Sequence, residues 1–123
     1  MTPKKMASSL LNSVVHENCI IYRDLFNNTK ITNVSNVYWQ NAISLYESLD
    51  NNQKEVFFSI IRQTAIDTVS NVLGVIDGST YLEEMDGELN LLSGTGVKLN
   101  GDLQGFFLEQ EEIESYGHRR VNP

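Results

Sequence analysis

At 123 residues, 41% hydrophobic and 20% charged, the chain has the size and composition of one folded domain, able to build a core without disulfide or metal. Its one cysteine, Cys19, excludes an intramolecular disulfide, and no Cys/His pairs stand at zinc spacing. The net charge of −7 falls entirely after residue 76: residues 1–76 hold six acids and six bases, residues 77–123 ten acids and three bases. An acidic half of this kind repels nucleic-acid phosphates and attracts basic surfaces.

No apolar run approaches the roughly 20 residues of a membrane span. Leu10 to Val15 is too short and interrupted for a signal-peptide core, although Lys4 and Lys5 precede it. The expectation is a cytoplasmic single domain over 1–123, with loose ends at 1–4 and 117–123. Cys19 reads as a small apolar core residue.

Helix one is expected from about Lys5 to Asn27, with Leu10, Leu11, Val14, Ile21, Tyr22 and Leu25 on one face. Asn18 interrupts that stripe, so the helix must bend, break or supply a partner there. Helix two is expected from Val34 or Ser35 to Leu49, capped by Asn33 or Ser35. Its apolar stripe is Tyr38, Trp39, Ala42, Ile43, Leu45, Tyr46 and Leu49.

Asp50-Asn51-Asn52 is a short turn with a ready cap, and a link this short favours antiparallel packing. Helix three follows from Gln53 to Ile76. Phe57, Ile60, Ile61, Ala65, Val69, Val72 and Ile76 line one side, with Thr64 and Thr68 among them. Val56, Ile66 and Leu73 lie elsewhere around it, which marks a central helix. After Asp77, Glu88–Ser93 and Val97–Asn100 flank Gly94-Thr95-Gly96 and read as a β-hairpin. Asp102 to Tyr116 reads as a last helix packed through Leu103, Phe106, Phe107 and Ile113. The expected fold is α+β, mainly α: three long antiparallel helices, a hairpin and a C-terminal helix.

Two constellations could carry function. The first is acidic: Glu83, Glu84 and Asp86 in a turn, and Glu109, Glu111, Glu112 and Glu114 on the last helix. Helices one and two offer no ExxE or ExxD pair to converge with them, so no metal and no cofactor are expected. The second is a polar ridge on helix three, Ser59, Gln63, Asp67 and Asn71, with Arg62 beside it. Turned inward, it would make a small-molecule or enzyme site around Arg62, Gln63, Asp67 and Asn71; turned outward, it is a solvated face. Asp77-Gly78 fails as a calcium loop because glycine stands second and Tyr81 fifth. No catalytic set emerges.

The stretch from Phe58 to Gly78, FSIIRQTAIDTVSNVLGVIDG, resembles helices of small uncharacterised bacterial α+β domains, some of which sit among toxin-immunity genes. The resemblance spans about residues 58–114. It implies a bacterial, cytoplasmic, non-enzymatic interaction protein and carries over no functional residue. The leading expectation is therefore an immunity-type protein-interaction domain whose acidic C-terminal surface meets a basic protein partner, toxins included. Neither nucleic acid nor membrane is an expected partner. A homo-oligomeric structural protein, joined through Tyr38, Trp39 or Phe106, is the third reading.

Overall fold

The computed structural model describes residues 1–121, with side chains described through Tyr116. It is 70% helical with no strand among the described residues, so the fold is all-helical and the α+β expectation is corrected. Helix α1 (Pro3–Leu10), a π-helical segment (Leu11–His16) and helix α2 (Glu17–Asn28) run on as one rod. Helix α3 spans Val37–Glu47, α4 Asn51–Asp77 and α5 Leu103–Val121. Of the ends expected to be loose, Pro3 and Lys4 thus lie in α1 and residues 117–121 in α5; Asn122 and Pro123 lie outside the described residues.

Side-chain caps fix where the helices begin. Thr2 Oγ1 accepts from Lys5 N at 3.2 Å. Asp50 and Gln53 form a reciprocal capping box at 2.8 and 2.9 Å, satisfying two otherwise orphan amides of α4. Asn36 caps α3, accepting from Trp39 N at 3.3 Å, one residue beyond the expected Ser35. At the far end of α4, Gly78 takes the left-handed conformation (φ 86°). Ser79 N reaches Gly74 O at 3.0 Å and Gly78 N reaches Val75 O at 3.1 Å, the hydrogen bonds of a Schellman stop.

The π segment sets the register of the first rod. Ala7, Leu11, Val15 and Phe26 are its buried residues, and Ala7 and Phe26 stand 19 positions apart. Five α-helical turns take about 18 residues. In an unbroken α-helix the two residues would point about 100° apart; the wide π turn absorbs the surplus residue and returns Phe26 to the core side. Glu17 N accordingly bonds Asn12 O, five residues back. Asn18, the interruption in the stripe, donates from Nδ2 to Val14 O at 2.7 Å, and Ile21 is left 56% exposed.

Two cores form along the pair of rods. Leu103 and Phe107 of α5 pack against Ala7, Leu11 and Val15 of the first rod and Ile66 and Leu73 of α4. At the other end, Ile43 and Tyr46 of α3 meet Phe26 and Phe58, with Trp39 and Phe57 adding ring contacts at 6.3 and 4.9 Å to Phe26. Each large apolar side chain fully buried this way contributes about 1.5–3 kcal/mol. Tyr38 and Leu45 of the expected stripe face solvent, as does Ile113 of α5. On α4, Phe57, Ile61, Ala65, Val69 and Ile76 of the expected face pack against the cores, with Ile66 and Leu73 buried beside them, whereas Ile60 and Val72 of that face are exposed.

The expected hairpin is a loop with half a ladder. Leu92 and Lys98 form one isolated antiparallel bridge. Ser93 N bonds Val97 O and Leu99 N bonds Leu91 O, each at 2.8 Å. In both pairs a side chain takes the return bond: Val97 N goes to Ser93 Oγ at 3.0 Å and Leu91 N to Asn100 Oδ1 at 2.9 Å. Such local side-chain acceptors compete with strand pairing, and an isolated two-stranded ribbon is marginal in any case.

Because the π turn holds one residue more than an α-helix needs, deleting the exposed Ser13 should convert it to regular α-helix and leave the core register intact. Thermal unfolding should then change by no more than about 1 kcal/mol. Deleting Asp24, beyond the π turn, should rotate Phe26 out of the core and cost roughly 3–5 kcal/mol.

Candidate interaction surface

The acidic half is assembled by one carboxylate. Asp77, the last residue of α4, accepts from Gly101 N (2.7 Å) and Leu103 N (3.2 Å) through Oδ1 and from Gln104 N (2.8 Å) through Oδ2. Its carboxylate thus caps α5 from 26 residues before that helix begins, and its charge sits at the positive end of the helix. Asn100 ties the intervening loop to the same point, donating to Ile76 O at 2.7 Å and Leu89 O at 2.8 Å. Gln104 donates to Ser70 O at 3.0 Å and Ser70 Oγ at 3.2 Å. A Cβ on Gly74 would stand 2.9 Å from Gln104 Nε2, so glycine there permits the close approach. Sequence reasoning weighed Asp77-Gly78 only as a calcium loop that fails; an acid ending a helix with a Gly-Asp turn 24 positions later was the available signal.

The acidic residues then divide. Glu111 accepts from Arg62 Nη1 at 3.2 Å and Ser115 Oγ at 2.5 Å. Glu114 accepts from His16 Nε2 at 2.7 Å and Gln110 Nε2 at 3.2 Å. These two join α5 to the rods. Burial alone would raise the Glu114 carboxyl, but the hydrogen bonds from His16 and Gln110, together with nearby His16 and Arg62, hold it below the usual carboxylate range. Glu83, Glu84 and Asp86 in the loop, and Glu109 and Glu112 on α5, are exposed and face no salt-bridge partner among the described residues. In the turn Leu82–Met85, Met85 N bonds Leu82 O at 3.2 Å, and Glu84 holds φ 68°. Glycine is the usual residue at that left-handed position.

The polar ridge does not converge. Gln63 donates to Asp67 at 2.9 Å, and Gln63, Asp67 and Asn71 are all exposed, while Arg62 turns to Glu111 on α5. Cys19 is half-buried between the rods, where burial pushes its thiol up and Arg62 and Arg23 offset that only in part; it is a poor nucleophile. Among the described residues, no three His, Cys, Asp or Glu side chains are placed to hold a metal ion, and no helix is long and apolar enough to cross a membrane. For the homo-oligomer reading, Tyr38 is 69% exposed, Trp39 is half-buried, and Phe106 lies under Lys4 at 5.6 Å.

Comparison with protein-family models, with curated proteins and with solved structures finds no match for the chain.

Glu114 has a lowered folded-state pKa, so its contribution to stability is present above the ordinary glutamate value of about 4.3 and is lost as pH falls through the folded value. Its side chain is 41% exposed, which limits that contribution to about 0.5 kcal/mol. Glu114→Gln should therefore be slightly less stable than the parent at pH 7. Unfolding curves of the two should converge as pH falls through the lowered folded-state value of Glu114.

Proposed function

We propose that the chain is a non-enzymatic protein-interaction domain, of immunity type, that meets a basic partner through the acidic residues of the 78–102 loop and α5. The observation that carries this reading is the division of the acids. Asp77, Glu111 and Glu114 are engaged within the fold, whereas Glu83, Glu84, Asp86, Glu109 and Glu112 are exposed and have no salt-bridge partner among the described residues. Unneutralised acids cost the fold some self-repulsion and speed encounter with a positive surface.

Glu84 supports the same reading. A residue other than glycine in the left-handed region costs about 1–2 kcal/mol, and strain of that kind concentrates at functional positions. A cytoplasmic bacterial setting belongs to this proposal through the resemblance of residues 58–114.

Glu109→Lys/Glu112→Lys tests the surface without breaking the Arg62 or His16 ties. Association with a basic protein captured by the parent chain should slow roughly tenfold at low salt, and the gap should close as salt shortens the ~8 Å screening length. Glu84→Gly should slow association while leaving stability equal or higher. A parental association rate for the double variant at low salt removes the acidic surface as the contact.

A further inference from the structure

A recess of about 120 Å³ lies where α2 passes α4. Cys19 and Arg23 of α2 line it, with Ser59 and Arg62 of α4. Cys19 and Arg23 stand four positions apart and Ser59 and Arg62 three, so each pair shares one face of its helix. Phe58 also lines the recess, and the Arg23 guanidinium lies over its ring, 4.2 Å from the centre. Stacking of this kind holds a guanidinium in place at the wall.

Both arginines are paired, but the pairs use few of their donors. Arg23 gives Nη1 and Nη2 to Glu55 at 3.0 and 3.3 Å, and Arg62 gives Nη1 to Glu111 at 3.2 Å. A guanidinium has five N–H groups, so three on Arg23 and four on Arg62 have no acceptor among the described residues. Glu55 and Glu111 do not line the recess, so the positive end of each ion pair is the end that faces it. Cys19 registers the same polarity: burial raises its thiol, and Arg62 and then Arg23 act against that by favouring the anion. The exposed Ser59 hydroxyl adds another donor.

This donor set selects its ligand. Two guanidiniums repel a metal cation, and an apolar group would take water from their N–H groups without replacing it. A carboxylate satisfies one guanidinium fork; a tetrahedral oxyanion presents acceptors in enough directions for both. The recess is smaller than the roughly 300–1,000 Å³ that encloses a drug-sized ligand, which limits the bound group to about the size of a phosphate.

We infer that this recess is a binding site for a phosphate-sized oxyanion, held by Arg23, Arg62 and Ser59. The ion pairs keep the net charge around it small and Arg23 is 48% exposed, so binding is in the millimolar range. The site does not depend on the acidic surface proposed above.

Cys19 is the one cysteine of the chain and lies in the wall, so it reports occupancy. Its alkylation by the neutral reagent iodoacetamide is followed in the full chain above neutral pH, as inorganic phosphate replaces sodium chloride at constant ionic strength. A bound phosphate fills the recess and opposes thiolate formation, so alkylation should slow saturably by at least about threefold. Arg23→Gln and Glu55→Gln break the same exposed ion pair, which contributes little to the fold, yet they should move the phosphate midpoint in opposite directions. The first removes a donor fork and should weaken binding by at least about fivefold; the second removes a competing charge and should tighten it roughly threefold. Circular dichroism checks helix content in both, and if Arg23→Gln loses helix, the direction of the Glu55→Gln shift decides. Methyl phosphate separates the two sources of such a group: comparable binding supports a site for an esterified phosphate, and binding weaker by about tenfold supports one for the free ion. No saturable slowing by phosphate, equal slowing by sodium acetate, or a Glu55→Gln variant that binds phosphate no more tightly than the parent would each overturn the inference.

Discussion

Three backbone amides at the start of α5 converge on the carboxylate of Asp77, and the arrangement of the acidic half depends on that convergence. A helix N-terminus has unsatisfied donors and a partial positive charge. Here the acceptor arrives from the end of another helix, so capping α5 also fixes where it lies against α4. Leu103 and Phe107 follow immediately and reach zero exposure against the first rod. The 78–102 loop is then pinned by Asn100 at both its ends. Without the cap, α5 would keep its apolar face and lose its register.

Charge is handled differently across the molecule. The arginines of the rods are paired: Arg23 with Glu55 at 3.0 Å while stacking on Phe58, and Arg62 with Glu111 at 3.2 Å. Glu83, Glu84, Asp86, Glu109 and Glu112 have no salt-bridge partner among the described residues. Exposed pairs add little stability singly, so the consequence lies in the field: internal positive charge is neutralised and external negative charge is not. The proposed acidic surface follows from this.

Much of the helical framework is legible in the sequence. Asp50 announces α4, Gly78 ends it, and the Leu103/Phe107 pair anchors α5. What was not legible has identifiable causes. A strict 100° period assigns Ile21 to the core and misses Phe26, because a π turn is one residue of surplus that no residue type announces. On α4, apolar residues surround the helix, so periodicity alone cannot separate Ile66 and Leu73, which are covered, from Ile60 and Val72, which are not. Thr64 and Thr68 within the apolar row were the hint of an open face. The hairpin expectation failed because Ser93 and Asn100 supply acceptors at the positions where a partner strand would. Of the candidate site, the acid cluster could be read from charge segregation, whereas the roles of Glu111 and Glu114 required the positions of Arg62 and His16 in space.

Amide hydrogen exchange of Asp77→Ala against the parent tests the capping account most directly. If Asp77 holds α5 and the loop in place, protection at Gly101, Leu103 and Gln104, and at Leu91 and Leu99 in the loop, should fall together by at least about tenfold, the equivalent of 1.4 kcal/mol, while amides of α4 between Phe58 and Ser70 stay protected. Unchanged protection in the first turn of α5 would contradict it.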